Sequence, residues 1–318
     1  MPAIRYVQLS HLDESAILPL MKEEARMWLT DFGWDYSIVQ QILLYLFREK
    51  MLPGYAAFSD GRHPDGYVYF LANKAKGSIG ACYTTPTSPP EKARETADGL
   101  IELAVACLQD SREINRIETQ MFTFHDQDYA PVFSKYGFRC YPRLYLVKDL
   151  DSDVVKKEPD ASLKIIPWDS DLIVPAAVMT AESYLDHLDY EILEDYHTPE
   201  NCENYLRGLV TKPGCGIFLK DASFLCLDGD GIPRGYVICS RISDDRAMIP
   251  QIAAHPAWQG SGIGAALMNR CMRQLKAMNF NSLSLVVTAE NSRASEWYRR
   301  LGFKKSREFG AFIWNRLQ

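Results

Sequence analysis

The stretch that decides the fold is MIPQIAAHPAWQGSGIGAALMNRCMRQL, residues 248–275. Residues 248–254 form an apolar run that predicts a buried strand. A loop with Gly260, Gly262 and Gly264 follows, and apolar residues at Ile263, Leu267, Met268, Cys271 and Leu275 then predict a helix. A strand, a glycine loop and a helix in that order place unpaired backbone N–H groups at the positive end of a helix dipole, which suits a phosphate or pyrophosphate. Gly262 and Gly264 keep a Cβ out of the way of such an anion. Two common nucleotide loops do not fit. The spacing of Gly260, Gly262 and Gly264 is G-x-G-x-G, not G-x-G-x-x-G, and no Gly-Lys-Ser/Thr is present.

The rest of the chain bounds this reading. With 318 residues, 47% hydrophobic and 24% charged, it is long enough for two α/β domains. The net charge of -6 argues against nucleic acid as the main partner. No apolar run is long enough to span a bilayer and no secretory leader stands at the start, so a cytoplasmic protein without a membrane partner is expected. The eight cysteines and six histidines are scattered, with no metal-ligand spacing; reduced thiols and no metal site follow as expectations.

Outward from the glycine loop, residues 282–291 predict a strand, 292–303 a helix closed by Gly302, and 309–315 a last strand. On the other side, 223–242 predicts a hairpin, and 171–188 and 198–210 predict helices, the latter capped by Thr198 with Pro199 behind it. The same order of elements occupies residues 4–150, and a charged, Pro- and Ser-containing stretch at 148–163 predicts a linker. Within the copy, GYVYF (66–70) answers GYVIC (235–239) and KYGF (135–138) answers RLGF (300–303). A shift of 165 residues sets Gly137 on Gly302, Phe133 on Tyr298, and 94–99 on 259–264 as the first half's version of the loop. Two tandem α/β domains, 1–150 and 151–318, are expected.

The loop with its flanks, Ile252-Ala-Ala-His255-Pro256-Ala-Trp-Gln259-Gly-Ser-Gly262-Ile-Gly264, resembles motif A of the GNAT superfamily of N-acetyltransferases. Asn291, Ala294, Tyr298 and Leu301-Gly302-Phe303 resemble that family's second motif, at matching spacing. The resemblance implies two tandem GNAT-like domains, each a mixed central sheet flanked by helices, with strands splayed at the acyl-CoA site of the second. It implies acetyl-CoA as cosubstrate, and Gln259, Gly260, Ser261, Gly262, Ile263, Gly264 and Ala265 around its pyrophosphate. By the same resemblance the backbone of Ile252, Ala253 and Ala254 faces pantetheine, which bonds to a strand edge as an added strand would. Asn291 and Ala294 border the same arm.

Tyr298 is the expected catalytic residue, because a phenol can protonate the thiolate expelled when an amine attacks a thioester. The acceptor is expected to be a primary amine on a small molecule or a protein. Glu182, Asp186 and Asp189 lie in the segment that borders the acceptor in this family and would favour a cationic amine. His255 is read as a structural residue of the loop's entry turn, and no general base stands out. In the first half Ala97 falls on Gly262, with Glu91, Glu95 and Asp98 nearby, and Phe133 lacks the hydroxyl of Tyr298. That half is therefore expected to be a degenerate, non-catalytic copy. The competing expectation is an acyl-CoA-binding or regulatory protein that keeps the cradle without turnover.

Overall fold

The computed structural model describes residues 4–59, 63–122, 128–151 and 163–316. The chain forms two compact units, Met1–Arg143 with Glu308–Gln318, and Leu144–Arg307. This differs from a cut at 150/151. Residues 308–315 of the last strand belong to the first unit, and residues 144–150 belong to the second. Most of the expected linker, 152–162, lies outside the described residues.

The first unit contains β1 (Arg5–Gln8), α1 (Glu14–Met27), α2 (Ser37–Arg48), β2 (Gly54–Phe58), β3 (Gly66–Asn73), β4 (Lys76–Thr84), α3 (Pro90–Asp110), β5 (Arg116–Met121) and α4 (Ala130–Lys135). β6 (Arg139–Asp149) runs across the division into the second unit. The sheet order is β1-β2-β3-β4-β5, and residues 310–315 of β13 (Lys304–Asn315) pair antiparallel with β5. That added strand brings Phe309, Ala311, Phe312 and Ile313 into buried positions. Phe312 stacks on Phe133 with ring centroids 4.1 Å apart.

The second unit contains β7 (Lys164–Pro167), α5 (Ile173–Tyr184), α6 (Asp189–Ile192), α7 (Pro199–Thr211), β8 (Ile217–Phe218), β9 (Phe224–Leu227), β10 (Pro233–Arg241), β11 (Arg246–Ala254), α8 (Ile263–Ala277), β12 (Ser282–Thr288) and α9 (Ser292–Arg300). Its sheet runs β12-β11-β10-β9-β7, with the second half of β6 beside β12. The two-residue period of a strand sends alternate side chains to opposite faces. In β10, Val237 and Cys239 join Leu267, Cys271 and Leu275 of α8. Tyr236 and Ile238 instead join Met179 of α5 and Leu206 of α7. The sheet is thus covered by helices on both faces.

The same local devices occur in each unit. Gly137 and Gly302 both adopt positive φ (79° and 90°) and close their helices. The Phe138 N–H donates to the Phe133 carbonyl at 3.2 Å, and the Phe303 N–H donates to the Tyr298 carbonyl at 3.0 Å. The 165-residue shift therefore holds at this helix end. It fails at the other loop. Residues 94–99 lie inside α3, which starts at Pro90. Ala93, Ala97, Leu100, Ile101, Ala104, Val105 and Leu108 bury one face of that helix at helical spacing, so the apolar stripe extends it back through the expected loop. Ala97 is not a loop residue.

Candidate active site

The opening in the second unit follows from how β11 pairs. Against β12 it forms a parallel ladder at Arg246–Ser282, Ala247–Leu283, Met248–Ser284 and Ile249–Leu285, and there the ladder stops. β11 continues to Ala254 and β12 to Thr288. Pro250 is the next residue of β11, and it has no N–H to give. Against β10 the register also slips here: Ile238 pairs with Gln251 and Ser240 with Met248, two steps on one strand against three on the other. This is a bulge, which bends the strand and increases its twist. The paired edge ends, and residues 251–254 part from the end of β12.

The glycine loop begins where this opening ends. His255 caps the short turn Pro256–Trp258, its Nδ1 accepting from the Ala257 N–H at 3.1 Å. Its Nε2 lies 3.1 Å from Glu182 Oε2, so His255 ties the loop entry to α5. Gly260 (φ 86°) and Gly262 (φ 93°) take left-handed conformations that a side chain would strain. Gly262 is the N-cap of α8, and its carbonyl accepts from the Ala266 N–H at 2.9 Å. The N–H groups of Ile263, Gly264 and Ala265 precede the first intrahelical bond and are left for an outside acceptor. Gly235 of β10 sets the helix close to the sheet, since a Cβ there would lie 2.5 Å from the Ile263 side chain.

Tyr298 is 7% exposed and packs edge-on to Phe303, with ring centroids 5.7 Å apart. Burial first, and then the Asp189 carboxylate, push its phenol well above the usual range, so it stays protonated at neutral pH. Asn291 caps α9, its Oδ1 accepting from the Ala294 N–H at 3.0 Å, and its Nδ2 lies 2.9 Å from His187 Nε2. The three carboxylates are not equivalent. Glu182 and Asp186 are exposed. Asp189 turns inward and accepts from the Thr288 hydroxyl at the end of β12.

Two features were not drawn from the sequence. Gln251 accepts from the Tyr196 hydroxyl at 3.2 Å and donates to the Tyr184 hydroxyl at 3.0 Å, so α5 and the turn after α6 close over the parted stretch of β11. Arg293 donates from Nη1 to Gln259 Oε1 at 3.1 Å and brings a guanidinium to the loop. Its only trace in the sequence is its place two residues after the Asn291 cap.

Residues 184–303 match the acetyltransferase (GNAT) family. The second unit carries a GNAT domain. An uncharacterized N-acetyltransferase of Methanocaldococcus jannaschii is 36% identical over 92 residues, 27% of this chain and 40% of that protein. The chain thus matches less than half the length of that relative. Among solved structures, a GCN5-related N-acetyltransferase from Sphaerobacter thermophilus superposes with a TM-score of 0.66 at 14% identity, over 99% of this chain and 97% of the other. A tandem GNAT protein from the clavulanic acid biosynthesis pathway superposes at 0.58 with 13% identity, over 98% of each chain. At these identities the likeness is one of fold, and the fold is that of two GNAT domains in tandem. Among the described residues no helix is long and apolar enough to cross a membrane.

Proposed function

We propose that the GNAT domain of the second unit transfers an acetyl group from acetyl-CoA to a primary amine by direct attack. The observation that carries this reading is the parting of β11 from β12 after Ile249, beside a loop whose glycines present α8's free amides. The amides of Ile263, Gly264 and Ala265 suit the CoA pyrophosphate. Backbone groups of Ile252, Ala253 and Ala254 suit the amides of pantetheine, and one of these N–H groups would polarise the thioester carbonyl.

In the transfer the neutral amine nitrogen bonds the acetyl carbon, sheds one proton to water and the C–S bond breaks. Tyr298 gives its phenolic proton to the departing sulfur, and water then returns a proton to the tyrosinate. The raised pKa keeps this acid protonated at neutral pH. We assign any steering of a cationic amine to the exposed Asp186, since Asp189 is committed to Thr288 and Glu182 to His255. Met1–Arg143 with its added strand is the non-catalytic copy in this proposal.

The test is release of free thiol from acetyl-CoA against a panel of primary amines, from small metabolites to peptides with a free N-terminus. Thiol release that depends on one amine class supports the proposal. Bound acetyl-CoA with no release against any amine would leave an acyl-CoA-binding protein instead.

A further inference from the structure

The cradle just described lacks a full positive charge of its own. From Pro256 through Asn269 the sequence holds no Lys or Arg; the next cation is Arg270, whose guanidinium sits over the Phe224 ring at 5.6 Å. Helix-end amides supply only about half an elementary charge, against a diphosphate that carries at least two. Arg293 is the cation that meets the loop. It is exposed, stands in the first turn of α9, and is anchored by one bond to the neutral Gln259 amide. Among the described residues no carboxylate pairs with it. The neighbouring arginines differ: Arg299 and Arg300 are both held by Glu296. With Nη1 held by Gln259, the rest of the guanidinium fork keeps its donors for a planar or tetrahedral anion.

The first unit offers a contrast at the same place. Counting back from the shared Gly-Phe by 165 residues, Arg293 corresponds to Asp128, whose carboxylate accepts from the Ala130 N–H. That unit puts a negative charge where the second puts a free positive one.

We propose that Arg293 completes the anion site by clamping the diphosphate of CoA against the glycine loop, with Gln259 as its anchor. The inference rests on CoA being the ligand of that loop. The experiment is isothermal titration calorimetry of CoA and of dephospho-CoA, which lacks the 3′-phosphate, on the wild-type chain, Arg293→Gln and Arg293→Lys. Loss of one charge-assisted contact predicts about tenfold weaker binding of both ligands by Arg293→Gln, with Arg293→Lys in between. Raising the salt should also narrow the gap between wild type and Arg293→Gln. Equal affinity of Arg293→Gln and wild type for CoA overturns the proposal. So does a loss for CoA that disappears with dephospho-CoA, because the contact would then be to the 3′-phosphate. A wild-type chain that binds neither ligand removes the acetyl-CoA reading itself, and this is seen before any variant is measured. Unchanged thermal melting of Arg293→Gln, expected for an exposed side chain, separates a lost contact from a lost fold.

Discussion

The two units share a scaffold and differ in the atoms that would hold and transform a ligand. In the first, β4 and β5 pair at Lys76–Arg116 and Gly77–Ile117 only, and β4 then slips register against β3 at Gly80, where a Cβ would lie 2.1 Å from the Tyr69 ring. The bulge and the parted strands are therefore present twice. The helix that follows is not built alike. α8 starts behind a left-handed glycine, whereas α3 starts with Pro89 as N-cap, Pro90 as its first residue and Glu91 in its first turn. Two prolines remove two N–H donors, and the carboxylate takes the positive end of the dipole. At the end of β5, Phe122 stacks on Phe309 at 4.1 Å and meets Trp28 and Phe32 at 5.0 and 5.2 Å. At the end of β12 the neighbours are Thr288, Asp189 and His187, all polar. Parted strands are thus a property of the sheet. In the proposed reading, ligand chemistry is added by the loop and the helix ends.

The largest effect that tests this comparison concerns the units as such. Deleting 308–318 removes the strand paired to β5 together with four buried side chains, and the first unit is expected to lose cooperative folding, read as loss of its near-ultraviolet aromatic signal. A deletion mutant with an unchanged spectrum would break the assignment of that strand. Next, Tyr298→Phe should lower kcat about a hundredfold or more with little change in acetyl-CoA affinity, while Phe133→Tyr in the first unit should change neither. Steady-state kinetics and calorimetry together check this pair. Gly262→Val forces a β-branched residue to φ 93° at the cap of α8 and is expected to weaken CoA binding at least about tenfold. Calorimetry should also find one CoA site per chain; a second would show that the prolines of α3 do not close the first unit.

A smaller contrast is one of pH. Glu24 of α1 is 1% exposed, accepts from Trp28 Nε1 at 3.2 Å and from the Tyr67 hydroxyl, and burial pushes its carboxyl up to about 7. In the second unit the matching tyrosine, Tyr236, bonds the Thr180 hydroxyl at 2.9 Å instead. A carboxyl with a raised folded pKa stabilises the fold most below its unfolded value, near 4.5. That stability is lost as pH rises towards 7, by about 3 kcal/mol at most. Urea unfolding of the wild type should therefore weaken from pH 5 to pH 8, and Glu24→Gln should flatten that slope. Thr180→Val should leave the slope as it is.

The sequence determined the parts that depend on short-range pattern. The glycine loop, the helix behind it, the Thr198 cap and the Gly-Phe helix ends are each written in a few adjacent residues, because turn conformations and helix starts are local. The local elements of the candidate site were legible for that reason, and Tyr298 lies on the helix that the spacing predicted. Four things were decided only by tertiary structure. The start of α3 was misread because its apolar stripe and its polar opening turn compete, and burial against the sheet settles which one governs. The exchange of strands, with 144–149 in the second unit and 310–315 in the first, leaves no local mark, because any apolar strand can pair with any suitable edge. Asp189 looks like its neighbours Glu182 and Asp186 in the sequence; the reach of the Thr288 hydroxyl is what turns it inward. Arg293 is one of many surface arginines until the fold brings Gln259, 34 residues away in sequence, within hydrogen-bonding distance. Contacts between residues far apart in the chain carry no signature in either segment, and in this protein they set the proposed anion site of the second unit apart from the first unit.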